Sequence, residues 1–273
     1  CYERNAGKSH YPVRHLQRKN AAGRYDIVYT CNYYPGKFSQ TGGYTEVYDA
    51  LGNKTIYRYN SFLKVEAIEY YYKDQEQNLG RQVLSHKVIY AWGVDPTLSL
   101  QDVYNNLNHK AKKTTATSAK LSYLLAKSRI DADGNCLYST RYFYDSWGNV
   151  TEERFYGNIT GKSALLSLNQ HLPDGSAAEY QSVRRIYSKD GKNLLYSEKK
   201  DGMHTSYTYH PKTHLRTAKL RKAKGISLRE FYIYNKDNLL VGKIEDDGTS
   251  TKQEDLTGVT KRLITKWHRR EEE

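Results

Sequence analysis

Short runs of Tyr, Ile, Leu and Val alternate with polar turn residues along most of this chain, most regularly between Val183 and Thr249. Turn residues recur there about every eleven or twelve positions, a spacing typical of consecutive antiparallel strands joined by tight hairpins. The predicted turns are Asp190-Gly191, Asp201-Gly202, Pro211-Lys212-Thr213, Lys224-Gly225, Asp237-Asn238 and Asp247-Gly248. The pattern therefore predicts a hairpin array.

A second pattern accompanies the turns: two tyrosines lie two residues apart and are followed by Asn, Asp or His. Because side chains alternate across a strand, each Tyr-x-Tyr pair presents two phenols on one face. The β-propensity of Tyr explains its abundance but not this fixed offset. The predicted structural motif residues are Tyr57, Tyr59, Asn60, Tyr142, Tyr144, Asp145, Gly148, Tyr207, Tyr209, Tyr232, Tyr234 and Asn235.

Two stretches carry a family resemblance. Tyr44–Asn60 resembles the YD repeat of bacterial Rhs proteins and animal teneurins, and Tyr142–Thr151 is a second match that ends in Gly-Asn-x-Thr. The resemblance covers residues 44–72 and 130–249. It departs from the family pattern after the Tyr-x-Tyr pairs, where only Asp145 is an aspartate and the other copies have Asn or His.

The resemblance implies an all-β, mainly antiparallel array of YD-repeat hairpins that forms part of a curved or spiral β-shell. Shells of this family are hollow, and bacterial members enclose and deliver a toxic C-terminal polypeptide. The family's shell-closing core, with its self-cleaving aspartate site, follows the repeats, and this sequence matches neither that core nor a toxin domain. We therefore expect a non-enzymatic wall segment of a secreted or cell-surface protein, whose partner is the rest of its own polypeptide.

The hairpin pattern is interrupted after residue 94. Asp95-Pro96 is typical of an N-cap followed by proline at the first helical position. Apolar residues then recur at helical spacing in two segments, on Leu100, Val103 and Leu107 and, within Ser118–Lys127, on Leu121, Leu124 and Leu125. This predicts a short helical insertion near 96–127 that braces the sheet, or alternatively docks a partner.

These elements divide the chain into four parts. We predict YD-repeat hairpins over 1–94, the helical insertion over 95–129, further hairpins over 130–250, and a partial repeat or tail over 251–273. One last strand is predicted within Thr260–Trp267. The chain starts at Cys1 and its one methionine is Met203, so we expect a fragment or a processed product.

Composition suits a thin wall better than a globular core. Only 38% of residues are hydrophobic, and 27 tyrosines outnumber 5 phenylalanines, so amphipathic rings must supply much of the interior. The net charge of +13 concentrates at 109–129 and 212–224. It is either a solvated basic surface or an attraction for nucleic acid, anionic lipid or an acidic partner. The sequence has no specific nucleic-acid-binding motif and no apolar run long enough for a transmembrane segment.

Catalytic and metal motifs are missing from the sequence, so we expect neither an enzyme nor a cofactor. Asp190, Asp201, Asp246 and Asp247 are turn residues rather than a glycosidase pair. Asp131–Asn135 departs from a calcium loop and predicts a hairpin turn. The three cysteines form no metal motif, and the sequence does not decide whether Cys31 and Cys136 form a disulfide.

The alternative function is an adhesin-like surface module. Phenols aligned on a sheet face can stack on sugar rings, so the tyrosine-rich faces would bind carbohydrate or an anionic partner. Cross-strand packing of the same tyrosines favours the wall interpretation instead.

Overall fold

The computed structural model describes residues 14–36, 42–74, 80–93, 123–161, 166–167 and 179–267. These residues contain seventeen strands and no helix. The strands are β1 (His15–Lys19), β2 (Tyr25–Tyr34), β3 (Tyr44–Asp49), β4 (Lys54–Tyr59), β5 (Val65–Lys73), β6 (Gln82–Gly93), β7 (Tyr123–Asp131), β8 (Asn135–Tyr144), β9 (Val150–Gly157), β10 (Leu166–Ser167), β11 (Tyr180–Tyr187), β12 (Leu195–Lys200), β13 (Met203–Tyr209), β14 (Arg216–Ala223), β15 (Ile226–Tyr234), β16 (Leu240–Asp246) and β17 (Arg262–Lys266). The all-β, antiparallel fold class predicted from the sequence is confirmed, and β17 lies within the predicted last strand.

The chain forms two compact units. Unit 1 comprises Cys1–Tyr142 and Phe155–Tyr180, and unit 2 comprises Phe143–Arg154 and Gln181–Glu273. In unit 1, strands β1 to β8 pair antiparallel in chain order, and β10 pairs with β8. In unit 2, strands β11 to β17 pair antiparallel in chain order. Each unit is therefore built mainly from hairpins between neighbours in the sequence.

The predicted second helix over Ser118–Lys127 is wrong where the structure describes it. Tyr123–Lys127 open strand β7, and Leu124 lies opposite Trp92 of β6. Leu125 and Ala126 are 3% and 1% exposed, so apolar residues are buried on both faces of the strand. A short apolar run of this kind has no period that separates a buried strand from a helix. The first predicted helix, from Asp95-Pro96, lies outside the described residues.

The core of unit 1 lies around β7 and β8. Ile130 is fully buried opposite Cys136, and the buried hydroxyl of Ser128 donates to Ser139 at 2.9 Å, so this polar pair is satisfied. Cys136 and Cys31 are both free thiols, so the disulfide left open by the sequence is not formed in this structure. Burial raises the pKa of the Cys136 thiol to about 11.

A β-bulge follows several turns, close to the start of the strand that leaves the turn. At the end of the hairpin β4–β5, Tyr59 pairs with Val65 while Arg58 pairs with Ala67, which leaves Glu66 as an extra residue. The extra residue is the second residue of the strand that leaves the turn in four of these hairpins, namely Glu66, Tyr196, Thr217 and Val241. In β8 it is the third residue, Leu137. The tyrosine-bearing strand before the turn thus stays regular.

Candidate functional site

Six hairpin turns share one hydrogen-bonding pattern. In the turn after β4, the side-chain oxygen Oδ1 of Asn60 accepts the backbone N–H groups of Phe62 and Lys64, both at 3.0 Å. Leu63, the fourth residue of this loop, has a left-handed backbone with φ of 61°. In all six turns Oδ1 accepts the backbone N–H four residues on, and the residue three on has positive φ. The leading residues are Asn20, Asp49, Asn60, Asp131, Asp145 and Asn235.

The turns that start with aspartate carry a further bond. Asn149 donates from its side-chain amide to Oδ2 of Asp145 at 3.0 Å, and the pairs Asp49–Asn53 and Asp131–Asn135 repeat this contact. Burial alone would raise the pKa of Asp145, but the hydrogen bonds from Asn149 and the turn backbone outweigh it and lower the pKa. Asp131 is thus a hairpin residue, as predicted.

The sequence pattern identified only part of this set. The tyrosines before Asn60, Asp145 and Asn235 identify these three as motif residues. Asp131 lacks that signal but is indicated by its own turn sequence, and Asn20 has neither signal. A more general signal is Asn or Asp followed three residues later by Gly, Asn or another residue in the left-handed region. His210 departs from the set: its loop is one residue longer, and its Nδ1 accepts the N–H of Thr213 at 3.2 Å.

The second tyrosine of two motif pairs connects successive turns at one end of unit 2. The Tyr209 hydroxyl donates to the carbonyl of Leu195 at 2.8 Å, and the Tyr234 hydroxyl donates to the carbonyl of Arg216 at 3.0 Å. Leu195 and Arg216 each begin the strand that leaves the preceding turn at that end. All eight tyrosines of the predicted pairs are half-buried. Tyr209 and Tyr234 act here as connectors between hairpins.

Glutamates on the strands form a second repeated arrangement. Glu230 accepts the hydroxyl of Tyr232 at 2.8 Å and binds Arg221 at 2.8 Å and Lys243 at 3.1 Å. Glu69 likewise accepts Tyr71 at 2.9 Å and a two-point contact from Arg58 at 2.7 and 3.1 Å. The cations come from neighbouring strands, so each glutamate joins two or three strands across one face.

These contacts shift the pKa of both partners. Burial, followed by the hydrogen bond to Glu230, raises the pKa of Tyr232 to about 12. Burial would also raise the pKa of Glu230, but hydrogen bonds from Tyr232 and Lys243 and the nearby lysine charges hold it below its usual value. Glu230 is therefore ionised at neutral pH and forms ion pairs with cations on the neighbouring strands.

Sequence reasoning missed a buried ion pair in unit 2, and the assignment of Asp246 to a turn is wrong, because Asp246 is the buried last residue of strand β16. Arg229 is 1% exposed, and its Nε donates to Asp246, which lies opposite it on β16. Its remaining N–H groups bind the carbonyls of Ser250, Lys252 and Asp255 at 2.6–3.0 Å. Residues 248–255, which we call the strap, are thereby fastened over one face of β15 and β16. The sequence feature that could have indicated the buried arginine is its position in the alternating run Arg229-Phe231-Ile233, where the other two residues are apolar.

A groove of about 640 Å³ lies beside the strap. Thr213, Phe231, Asn238, Thr251 and Gln253 are among the residues that line it.

The described residues hold no group of three or more His, Cys, Asp or Glu side chains that could bind a metal ion. They also contain no helix long and apolar enough to cross a membrane. The geometry thus defines a β-hairpin repeat protein whose repeated sites are structural turns and charge clusters.

Comparisons with known proteins give only distant similarity. No family model matches the sequence, and no curated protein matches it. The chain is similar to a Photorhabdus luminescens Tc holotoxin pore, with 11% identity over 91% of this chain and a TM-score of 0.32. It is also similar to TcdB2-TccC3 without its hypervariable C-terminal region, with 10% identity over 82% of this chain and a TM-score of 0.28. In both cases it spans 14% of the other chain, and likeness at this level assigns neither family nor function.

Proposed function

We propose that this chain is a non-enzymatic wall segment of a secreted or surface Rhs-type YD-repeat shell. In this proposal the shell encloses a C-terminal toxin or effector polypeptide and helps to deliver it. The partner is the rest of the same polypeptide, and no cofactor takes part.

The observation that carries the proposal is the repeated turn. A side-chain oxygen in the same place closes turns as far apart in the sequence as Asn20 and Asn235, and the strands between them differ in composition. A hairpin alone is marginal in water, so a chain of such repeats gains stability only by pairing edge to edge. A wall made of repeats needs this uniformity.

The test uses the complete product of the gene, including any polypeptide encoded beyond Glu273. We expect that polypeptide to resist added protease while the repeats are intact. The double variant Asp49→Ala/Asp145→Ala, which removes two turn acceptors, should make it sensitive, and Lys236→Ala, a change at an exposed turn position, should not. The proposal fails if the gene encodes nothing beyond the repeats, or if that polypeptide is digested as fast as when it is expressed alone.

A second candidate, carbohydrate binding, is favoured by exposed tyrosines on β2. Tyr25, Tyr29 and Tyr33 are 65%, 41% and 43% exposed, whereas the tyrosines of the motif pairs are half-buried. A sugar-binding surface would therefore use β2. A glycan array probed with the chain and with Tyr25→Ala/Tyr29→Ala tests this candidate, and equal signals from both proteins would reject it.

A further inference from the structure

Two tight turns project side by side from one end of unit 2. Asp201-Gly202 connects the paired residues Lys200 and Met203, and Lys224-Gly225 connects Ala223 and Ile226. Because β12 to β15 pair antiparallel in chain order, alternate turns lie at the same end of the sheet. We call residues 199–203 and 222–228 at this end the lysine edge.

The lysine edge exposes large apolar side chains. Met203 is 39% exposed, Ile226 is 60% exposed and Leu228 is 47% exposed. Ile226 and Leu228 lie two residues apart on β15 and so share one face. Exposed apolar side chains that adjoin one another and are bordered by polar residues mark interaction sites, whereas scattered single ones do not.

Four exposed lysines lie at this edge. Lys200 pairs with Met203, Lys224 is in the second turn, and Lys199 and Lys222 are on the face opposite to Ile226 and Leu228. Among the described residues, no ion pair involves Lys199, Lys200, Lys222 or Lys224. Asp201 is the one carboxylate of the lysine edge. Elsewhere in unit 2 the arrangement is the opposite, since the cations around Glu230 converge on its carboxylate. The lysines of this edge therefore keep their charge available for an anionic partner.

We propose that the lysine edge docks on the surface of an anionic phospholipid bilayer. The apolar tips of the two turns enter the interface, and the lysines bind the phosphate and carboxylate groups of the lipid heads. The chemistry favours lipid over nucleic acid for two reasons. All four cations are lysines rather than the arginines that bind phosphate in two-point contacts, and the exposed apolar side chains are aliphatic and cannot stack on bases.

The experiment is co-sedimentation of the 273-residue chain with phosphatidylcholine vesicles that contain 30% phosphatidylserine or none. We expect binding to the anionic vesicles only. Lys222→Ser/Lys224→Ser should weaken it about 25-fold, since each lysine near the surface contributes about five-fold. Ile226→Ser/Leu228→Ser should weaken the binding that survives in high salt. The matched control is Lys212→Ser/Lys236→Ser, which removes the same charge from exposed positions in the turns at the other end.

Three results would overturn the proposal. The first is equal affinity of the lysine-edge variant and the control variant for anionic vesicles, and the second is equal binding of the unaltered chain to neutral vesicles. The third is tighter binding to duplex or single-stranded DNA with no effect of Ile226→Ser/Leu228→Ser, which would assign the edge to nucleic acid. All substituted side chains are exposed, so we expect the variants to fold normally, and thermal unfolding curves that match those of the unaltered chain would confirm this.

Discussion

Arg229 and Asp246 face each other across β15 and β16, and both are buried, so the ion pair fastens the strap from inside. We predict that Arg229→Leu lowers the free energy of unfolding by about 3–5 kcal/mol, because it removes the nearer partner of a buried carboxylate, leaving only Arg262 at 3.8 Å, and also releases three carbonyls of the strap. Urea unfolding measures the loss. Arg221→Leu is the matched control: its guanidinium is partly exposed, and its loss should cost about 1 kcal/mol or less. Similar losses for the two variants would contradict this account.

Asn60→Ala should destabilise unit 1 by about 1–2 kcal/mol, because two backbone N–H groups lose their acceptor. Asn60→Asp retains the oxygen and should stay within about 0.5 kcal/mol of the unaltered chain. Asn235→Ala is expected to show the same loss in unit 2. Denaturant titrations of the three variants decide the point, and an equal loss in Asn60→Asp would show that the amide, not the oxygen, is what the turn needs.

Gly42→Ala should destabilise the first repeat by about 1–3 kcal/mol, because a Cβ there would lie 1.9 Å from the carbonyl oxygen of Tyr59. Gly157→Ala is a matched control, since its Cβ would be in ordinary contact 3.5 Å from Tyr138. Thermal unfolding of both variants compares them. Equal melting temperatures would show that the backbone around Gly42 moves to make room for the added methyl group without loss of stability.

Stability should fall in acid partly through Glu230. Its pKa is lowered in the folded chain from a usual value of 4.5, so its contribution is complete above that value and is lost as the pH falls through the folded pKa. Urea midpoints should therefore decline below about pH 4.5, and Glu230→Gln should reduce the decline. Glu254→Gln, which removes an exposed carboxylate, is the control. An unchanged slope in Glu230→Gln would contradict the assignment.

Tyr232 should respond at the alkaline end. Its folded pKa of about 12 lies above the usual 10, so its contribution is complete below pH 10 and is lost as the pH rises through 12. In an ultraviolet difference titration, the step at the highest pH should be smaller by one phenol in the Tyr232→Phe chain than in the unaltered chain. Loss of a phenol from a step near pH 10 would place Tyr232 in water instead.

Most turns could be predicted from sequence because their chemistry is local, but Asp247-Gly248 is not the predicted tight turn, since it begins the long connection between β16 and β17. Asp145 and Asn60 bind backbone groups within four residues, so the residue types alone indicate the structure. The strand β7 could not be predicted, because the pairing of Leu124 with Trp92 depends on a partner far away in the sequence. The leucine spacing in that segment fits a helix equally well.

The contacts of the charge clusters and of the strap are harder to predict from the sequence than the turns. The spacing of Glu230 and Tyr232 is visible, but the arrival of Lys243 depends on strand register, and bulges such as the one at Val241 shift that register by one residue. Arg229 binds carbonyls, which every residue has, so no residue type in the strap signals the contact.

The repeated turn has a consequence for how such a chain can change. The hydrogen bonds that close the turn join residues of the same loop, so the side chains on the strand faces are not needed to close it, although Gln82 of β6 also donates to the Gly52 carbonyl of one loop. Substitutions on the faces and substitutions in the loops therefore affect separate properties. A lineage can exchange the chemistry that a sheet surface offers while the connections that hold neighbouring hairpins in place are inherited intact.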